Sequence, residues 1–90
     1  MKTTKIFITG TVQGIFFRRF IKEEAEKLGL KGFVRNLDDG RIEVVAEGKD
    51  ENINKMIAIC KKGSAHSIIK NVQSQEIRNQ GFDSFKVLSL

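Results

Sequence analysis

Three observations predict a two-layer α+β sandwich, two helices over one mostly antiparallel sheet, for this 90-residue chain. Two stretches carry apolar residues at helical spacing, the runs between them alternate or are rich in strand formers, and glycine- or Asn/Asp-containing turns separate the pieces. The resulting order is β-α-β-β-α-β with an extra C-terminal strand, a ferredoxin-like arrangement. Neither linker nor repeat nor low-complexity tract interrupts it, so residues 1–90 are expected to form a single domain. A chain of that length buries roughly 60–65% of the surface it exposes when unfolded, enough for a core without disulfide or structural metal.

The first strand runs from Lys5 to Gln13, with Ile6, Ile8, Gly10 and Val12 on one face and Phe7, Thr9 and Thr11 on the other, and its apolar face places it centrally in the sheet. Phe17, Phe20, Ile21, Ala25 and Leu28 then form one helical stripe opposite Lys22, Glu23, Glu26 and Lys27, and Gly29 stands where a helix-ending glycine belongs. Leu30 to Asn36 and Arg41 to Glu47 read as a hairpin joined by Leu37-Asp38-Asp39-Gly40. Asp50 is the expected N-cap of a second helix, whose stripe is Ile53, Met56, Ile57 and Cys60 and whose end lies near Lys61-Lys62-Gly63. Ser64 to Ser67 is a loop. In the strand from Ile68 to Ile77 the apolar residues Ile69, Val72 and Ile77 do not keep one parity, which predicts a bulge or register change. A turn at Asn79-Gln80-Gly81 leads to a short last strand bearing Phe85 and Val87.

Composition narrows the class. Hydrophobic residues at 40% and charged residues at 30% are ordinary for a globular protein, and no stretch approaches the ~18 apolar residues of a membrane span. Met1-Lys2-Thr3-Thr4-Lys5 leads straight into the first strand pattern without an apolar leader, and the lone cysteine, Cys60, fits a reducing compartment. The expected location is the cytoplasm. A net charge of +5 favours anionic partners, but sixteen basic residues are interspersed with eleven acidic ones, so charge alone does not separate nucleic acid from small phosphorylated substrates.

The stretch with most chemical content is Gly10-Thr11-Val12-Gln13-Gly14-Ile15-Phe16-Phe17-Arg18, where a strand passes through a glycine turn into a helix. Gly14 lets the chain bend, and the amides of Ile15, Phe16, Phe17 and Arg18 are then donors at a helix start, where phosphate-sized anions bind. Arg18 adds a planar, permanently charged fork that matches two phosphate oxygens. Adjacent helical positions point about 100° apart, so at most one of Arg18 and Arg19 faces such a cradle. Taken alone, the same residues also describe a plain turn and a solvated arginine.

A second segment, Gly32-Phe33-Val34-Arg35-Asn36 followed by Asp39-Gly40 and Glu43, resolves the choice. Together with Gly10-x-Val12-Gln13-Gly14-x-x-Phe17-Arg18 it resembles the acylphosphatase family, over essentially the whole chain and at the family's spacing. The resemblance implies a hydrolase that needs no metal or other cofactor and splits the mixed anhydride of a carboxylic and a phosphoric acid, with inorganic phosphate as product and inhibitor. By motif position it makes Arg18 the phosphate binder and Asn36 the residue that orients the attacking water, with Gly14, Ile15, Phe16, Phe17 and Arg18 as the substrate cradle. A neutral amide both donates to and accepts from water, which suits Asn36 to that task. Arg35, on the opposite face by alternation, is expected to be structural or solvent-facing, and Phe17 and Phe33 to be core. The expected working form is a monomer acting on a small molecule, with no membrane and no nucleic acid.

Other chemistries fail on spacing. A cysteine-dependent phosphatase loop needs an arginine six positions after Cys60, where the chain has His66. His66 is the only histidine, Asp38-Asp39 reads as a turn, and no Gly-x-x-x-x-Gly-Lys-Ser/Thr loop is present. RNA-recognition domains share the element order, and Lys31-Gly32-Phe33 opens like one of their aromatic motifs, but Val34-Arg35 ends the likeness. A small-anion sensor on the same scaffold is the remaining alternative. After Gly63 the chain departs from the family's proline-containing loop, with Ser64-Ala65-His66-Ser67-Ile68-Ile69 instead.

Overall fold

The computed structural model describes residues 1–12 and 14–88 and realises the expected order. The elements are β1 (Lys2–Thr11), α1 (Gly14–Lys27), β2 (Lys31–Asn36), β3 (Ile42–Gly48), α2 (Asp50–Lys62), β4 (Ile68–Ile77) and β5 (Phe85–Val87). They form a ferredoxin-like fold with one five-stranded sheet ordered β4-β1-β3-β2-β5. β1 is interior, as its pattern requires, while β3 takes the middle. All pairings are antiparallel except β2 with β5, whose parallel pairing follows from the last strand's return beside the edge of the hairpin.

Alternation divides the sheet into two faces. Ile6, Ile8, Val34, Ile42, Val44 and Ala46 point to the helices, where they meet Phe17, Ile21 and Ala25 of α1 and Ile53, Met56 and Cys60 of α2 in one buried cluster. Each fully buried Ile, Phe or Met side chain contributes about 1.5–3 kcal/mol relative to exposure, so this layer supplies most of the driving force. The opposite face carries Lys5, Phe7, Phe33, Arg35 and Glu43. There Arg35 Nε donates to Glu43 Oε1 at 2.6 Å, and Lys5 Nζ lies 3.8 Å from Glu43 Oε2. Phe33 belongs to this second face, only half-buried and edge-on to Phe82 at 5.9 Å between ring centres, which corrects its expected core position. The cause is parity: Val34, its neighbour, takes the helix side.

Several boundaries differ from the sequence reading: β2 starts at Lys31 rather than Leu30, and β3 spans Ile42–Gly48 rather than Arg41 to Glu47. β1 begins at Lys2, because Thr3 has partners on both sides, Glu47 of β3 and Ile77 of β4. It ends at Thr11, and the expected last residue, Gln13, lies outside the described residues. The N-cap of α2 is Lys49, without a side-chain cap, and Asp50 is instead the first helical residue, where with Glu51 its charge still complements the helix dipole. The parity break in β4 is a true bulge: Thr9 faces Asn71 but Gly10 faces Ile69, leaving Lys70 without an opposite residue.

At the end of the sheet where β1 begins, Glu47 is buried and its carboxylate is fully employed. It accepts from Thr3 Oγ1 at 2.6 Å and from the backbone amides of Gln80, Gly81 (2.9 Å) and Phe82 (3.1 Å). The Thr3 hydroxyl bond and those three amides hold its pKa below the ordinary glutamate range, against the opposing effect of burial. This one side chain fastens the turn after β4 to the sheet.

Candidate active site

The register places the two motif segments at the opposite end. Ile8 at the far end of β1 pairs with Ile42 at the start of β3, and Ile42 pairs in turn with Asn36 at the end of β2. Asn36 has the parity of Val34, so its side chain belongs to the helix-facing side of the sheet. The chain leaving β1 turns back into α1 at this same end, which brings the first helical turn toward Asn36.

Gly10 sets how β4 meets this end of β1. A Cβ on Gly10 would sit 2.2 Å from the Ile68 carbonyl oxygen, so only glycine allows β4 to approach β1 this closely beside the bulge. Gly14 opens the helix with φ +34°, and no atom lies within 4 Å of the position its Cβ would take. With α1 starting at Gly14, the free donors are at the very front of the helix, at Gly14, Ile15 and Phe16. The Arg18 amide finds a helical partner at the Gly14 carbonyl, so Arg18 is available to a ligand through its side chain rather than its backbone. No acidic residue occupies the first turn to offset these donors.

The Arg18 guanidinium is half-buried. Its Nη1 donates to the Leu88 carbonyl oxygen at 3.4 Å, and the Leu88 amide donates to Val34 O at 2.9 Å, tying the arginine through the last strand to β2 two residues before Asn36. Its Nε is buried without a partner among the described residues, and so is Asn36 Oδ1. A buried polar atom without a partner costs about 1–3 kcal/mol; Thr4 Oγ1, toward the other end of β1, is a third such atom, and this end of the sheet holds two. Arg19 is exposed and lines a different surface with Lys22, Glu23 and Glu26. Of the adjacent arginines, Arg19 is exposed, and Arg18 is the one tied to Leu88 and left with a buried, unpartnered nitrogen, as their angular separation allows.

Asn36 is held in place by the turn that follows. Leu37 N donates to Arg41 O at 2.8 Å and Gly40 N to Leu37 O at 3.0 Å, closing the hairpin. Asp39 accepts from the Arg41 amide (3.0 Å) and from Arg41 Nε (2.8 Å), bonds that hold its carboxyl below the ordinary aspartate range. Asp38-Asp39 is thus a turn, as expected. Arg35 is the structural residue its parity implied, paired with Glu43 and stacked 5.6 Å from the Phe33 ring centre.

Cys60 is fully buried in α2, and desolvation pushes its thiol up to about 12, which removes it as a nucleophile. His66 is exposed in the loop before β4 and, with Phe16, Phe17 and Ser64, lines a cleft of about 350 Å³. Sequence reasoning placed Gly10 at the head of the first motif but missed its structural part, the close approach of β4, and it missed the part played by the Leu88 carbonyl, which has no sequence signal at all. Among the described residues no helix is long and apolar enough to cross a membrane.

The family model described as Acylphosphatase matches residues 4–87. This chain belongs to the acylphosphatase family. Accordingly it is a hydrolase, and the family implies an acyl phosphate as substrate. A protein named Acylphosphatase from Haloarcula marismortui is 39% identical over 82 residues, covering 91% of this chain and 90% of the relative. The crystal structure of acylphosphatase from Bacillus subtilis superposes with a TM-score of 0.91 at 36% identity, covering 98% of this chain and 99% of that one. An acylphosphatase structure from Coxiella burnetii gives 0.92 at 32% identity, covering 97% and 92%. The motif resemblance and the β-α-β-β-α-β order are thereby borne out over nearly the full chain.

Proposed function

We propose that this chain, acting as one domain, hydrolyses acyl phosphates to a carboxylate and inorganic phosphate without a metal, using Arg18 and the amides of Gly14, Ile15 and Phe16 to hold the phosphoryl group and Asn36 to orient water. The observation that carries this reading is the pair of buried, unpartnered polar atoms, Arg18 Nε and Asn36 Oδ1. One is a donor of fixed positive charge, suited to a phosphoryl oxygen. The other is an acceptor, suited to a water proton.

The roles follow from what the bond needs. Water oxygen forms a bond to phosphorus as the bond to the acyl oxygen breaks, and the departing carboxylate, with an acid pKa of about 4, leaves without a general acid. What is left to supply is charge stabilisation on the phosphoryl oxygens and a fixed position for the water. Arg18 and the helix-front amides supply the first. Asn36 supplies the second, accepting from the water through Oδ1. The attacking water's proton passes to a phosphoryl oxygen of the substrate itself, so the site's own cation and amide suffice.

The test is hydrolysis of acetyl phosphate after exhaustive chelation, followed with and without inorganic phosphate. Full activity after chelation together with competitive inhibition by phosphate is the expected result. Loss of activity that a divalent metal restores would overturn the mechanism, and absence of phosphate inhibition would overturn the cradle.

A further inference from the structure

The sheet has two edges, β4 and β5. An open edge presents backbone N–H and C=O groups that pair with any extended chain brought beside it, and proteins blunt such edges with bulges or cover. β4 carries its bulge at Lys70. β5 pairs with β2 without a register shift and borders a groove instead. Gly32 N donates to Ser84 O and Leu88 N to Val34 O, both at 2.9 Å, so Ser84 and Leu88 turn their backbone toward β2, and by alternation so does Lys86. The amides and carbonyls of Phe85 and Val87 therefore point away from the sheet, and among the described residues no further strand meets them.

The groove, about 870 Å³, lies between this edge and α1. On the helix side it is lined by Ile15, Arg19 and Glu23, which at i, i+4 and i+8 form one row along the helix surface. Ile15 is 46% exposed. Arg19 and Glu23 are both exposed, and among the described residues neither has an ion-pair partner, whereas Lys22 and Glu26 in the same groove pair with each other at 3.5 Å. From the site end the row is apolar, positive, negative. Each step of four residues rises about 6 Å along the helix, and two residues of extended chain span about 6.8 Å. Alternate side chains of a strand laid beside β5 thus match the row step for step.

We infer that this groove is a docking site for an extended segment of a partner protein, one that carries an apolar, an acidic and a basic residue at alternate positions in that order. The segment adds to the sheet antiparallel to β5, the orientation with the straighter hydrogen bonds. Because β5 runs toward the site end and α1 away from it, such a segment follows the direction of α1, which fixes the order of its side chains. The four backbone groups of Phe85 and Val87 hold its main chain. Its apolar side chain meets Ile15, its carboxylate Arg19 and its cation Glu23, so affinity comes from the strand edge and selectivity from the helix.

The test titrates isotopically labelled protein, followed by NMR, with two capped peptides of one composition, acetyl-Val-Thr-Glu-Thr-Lys-amide and acetyl-Val-Thr-Lys-Thr-Glu-amide. The first is expected to shift the Phe85 and Val87 amides saturably and to bind about fivefold more tightly than the second, which exchanges two exposed ion pairs for two like-charge contacts. Arg19→Glu combined with Glu23→Arg is expected to invert that preference, and the amide spectrum of the same sample reports whether the variant is folded. Phe85 and Val87 amides that stay unmoved at millimolar concentrations of the first peptide overturn the docking site. Equal binding of the two peptides by the unaltered protein, or a preference that survives the double substitution in the folded variant, overturns the selection by Arg19 and Glu23. The comparison on the unaltered protein decides by itself if the variant does not fold.

Discussion

The two ends of the sheet differ in how they treat buried polar groups: one unpartnered atom, the Thr4 hydroxyl oxygen, lies toward the Glu47 end, whereas the opposite end holds two, one of them on a cation. At one end Glu47 is buried with a hydroxyl and three backbone amides aimed at its carboxylate. At the other, Arg18 Nε and Asn36 Oδ1 are buried with nothing described to meet them. A satisfied buried group stabilises the fold, whereas an unsatisfied one lowers stability and is retained for what it does to a ligand. On this contrast Glu47 serves the architecture, and the proposed chemistry belongs to the Arg18–Asn36 end.

The strongest way to break that division is at Asn36. Asn36→Ala is expected to lower kcat by about 10² or more, the cost of a misplaced reactant, while the inhibition constant of inorganic phosphate stays within about threefold. Steady-state kinetics with phosphate as inhibitor would decide it, and near-normal kcat would reduce Asn36 to a turn residue. Arg18→Ala is expected to reduce kcat/KM by about 10²–10³, as when a preorganised charge-stabilising donor is removed, and here phosphate inhibition weakens as well. The two substitutions therefore separate binding from turnover.

Glu47→Gln should do the reverse. It removes a charged acceptor from several donors and is expected to cost about 1.5–3 kcal/mol of stability in chemical denaturation, with kcat of the remaining folded protein retained. The pH dependence has a definite sign. Because the folded-state pKa of Glu47 lies below its usual value of 4.5, its contribution is fully present above that value and is lost as pH falls through the lower, folded-state pKa. Acid unfolding of the unaltered protein should thus show a component absent from Glu47→Gln. The smallest effect is expected at Arg19→Ala, less than about twofold in kcat/KM, since an exposed arginine on another surface contributes only weak, screened electrostatics. Equal losses at Arg18 and Arg19 would erase the distinction between them.

Most of the fold was legible because it depends on periodicity. Ile6 and Ile8, the Phe17-Ile21-Ala25 stripe and the Ile53-Met56-Cys60 stripe announce their partners by spacing alone, and the irregular parity of Ile69, Val72 and Ile77 even announced the bulge. Helix and strand ends were less legible. Lys49 rather than Asp50 caps α2 because the turn from β3 sets where the helix begins, and no local preference of Asp50 overrides it. Phe33 was misplaced because an aromatic in a strand looks like core until the face taken by Val34 is known.

The proposed site was legible through its motifs rather than its geometry. Arg18 and Asn36 stand eighteen residues apart in sequence, and only the row Ile8, Ile42, Asn36 across three strands explains why they serve one end of the sheet. Gly10 carried a signal whose meaning depended on Ile68, a residue on another strand. The Leu88 carbonyl carried none, since any residue offers the same atom. Glu47 was equally silent, because an exposed and a buried glutamate are identical until the turn at Gln80 to Phe82 folds over it.

The most direct measurement is titration of the isotopically labelled protein with inorganic phosphate, followed by NMR. The backbone amides of Gly14, Ile15 and Phe16, the Arg18 Nε–H and the Asn36 side-chain amide are expected to shift together and saturate together. The amides of Gln80, Gly81 and Phe82, already held by Glu47, should stay where they are. Saturating phosphate that leaves the first group unmoved, or that moves only the second, would contradict the assignment of chemistry to one end and architecture to the other.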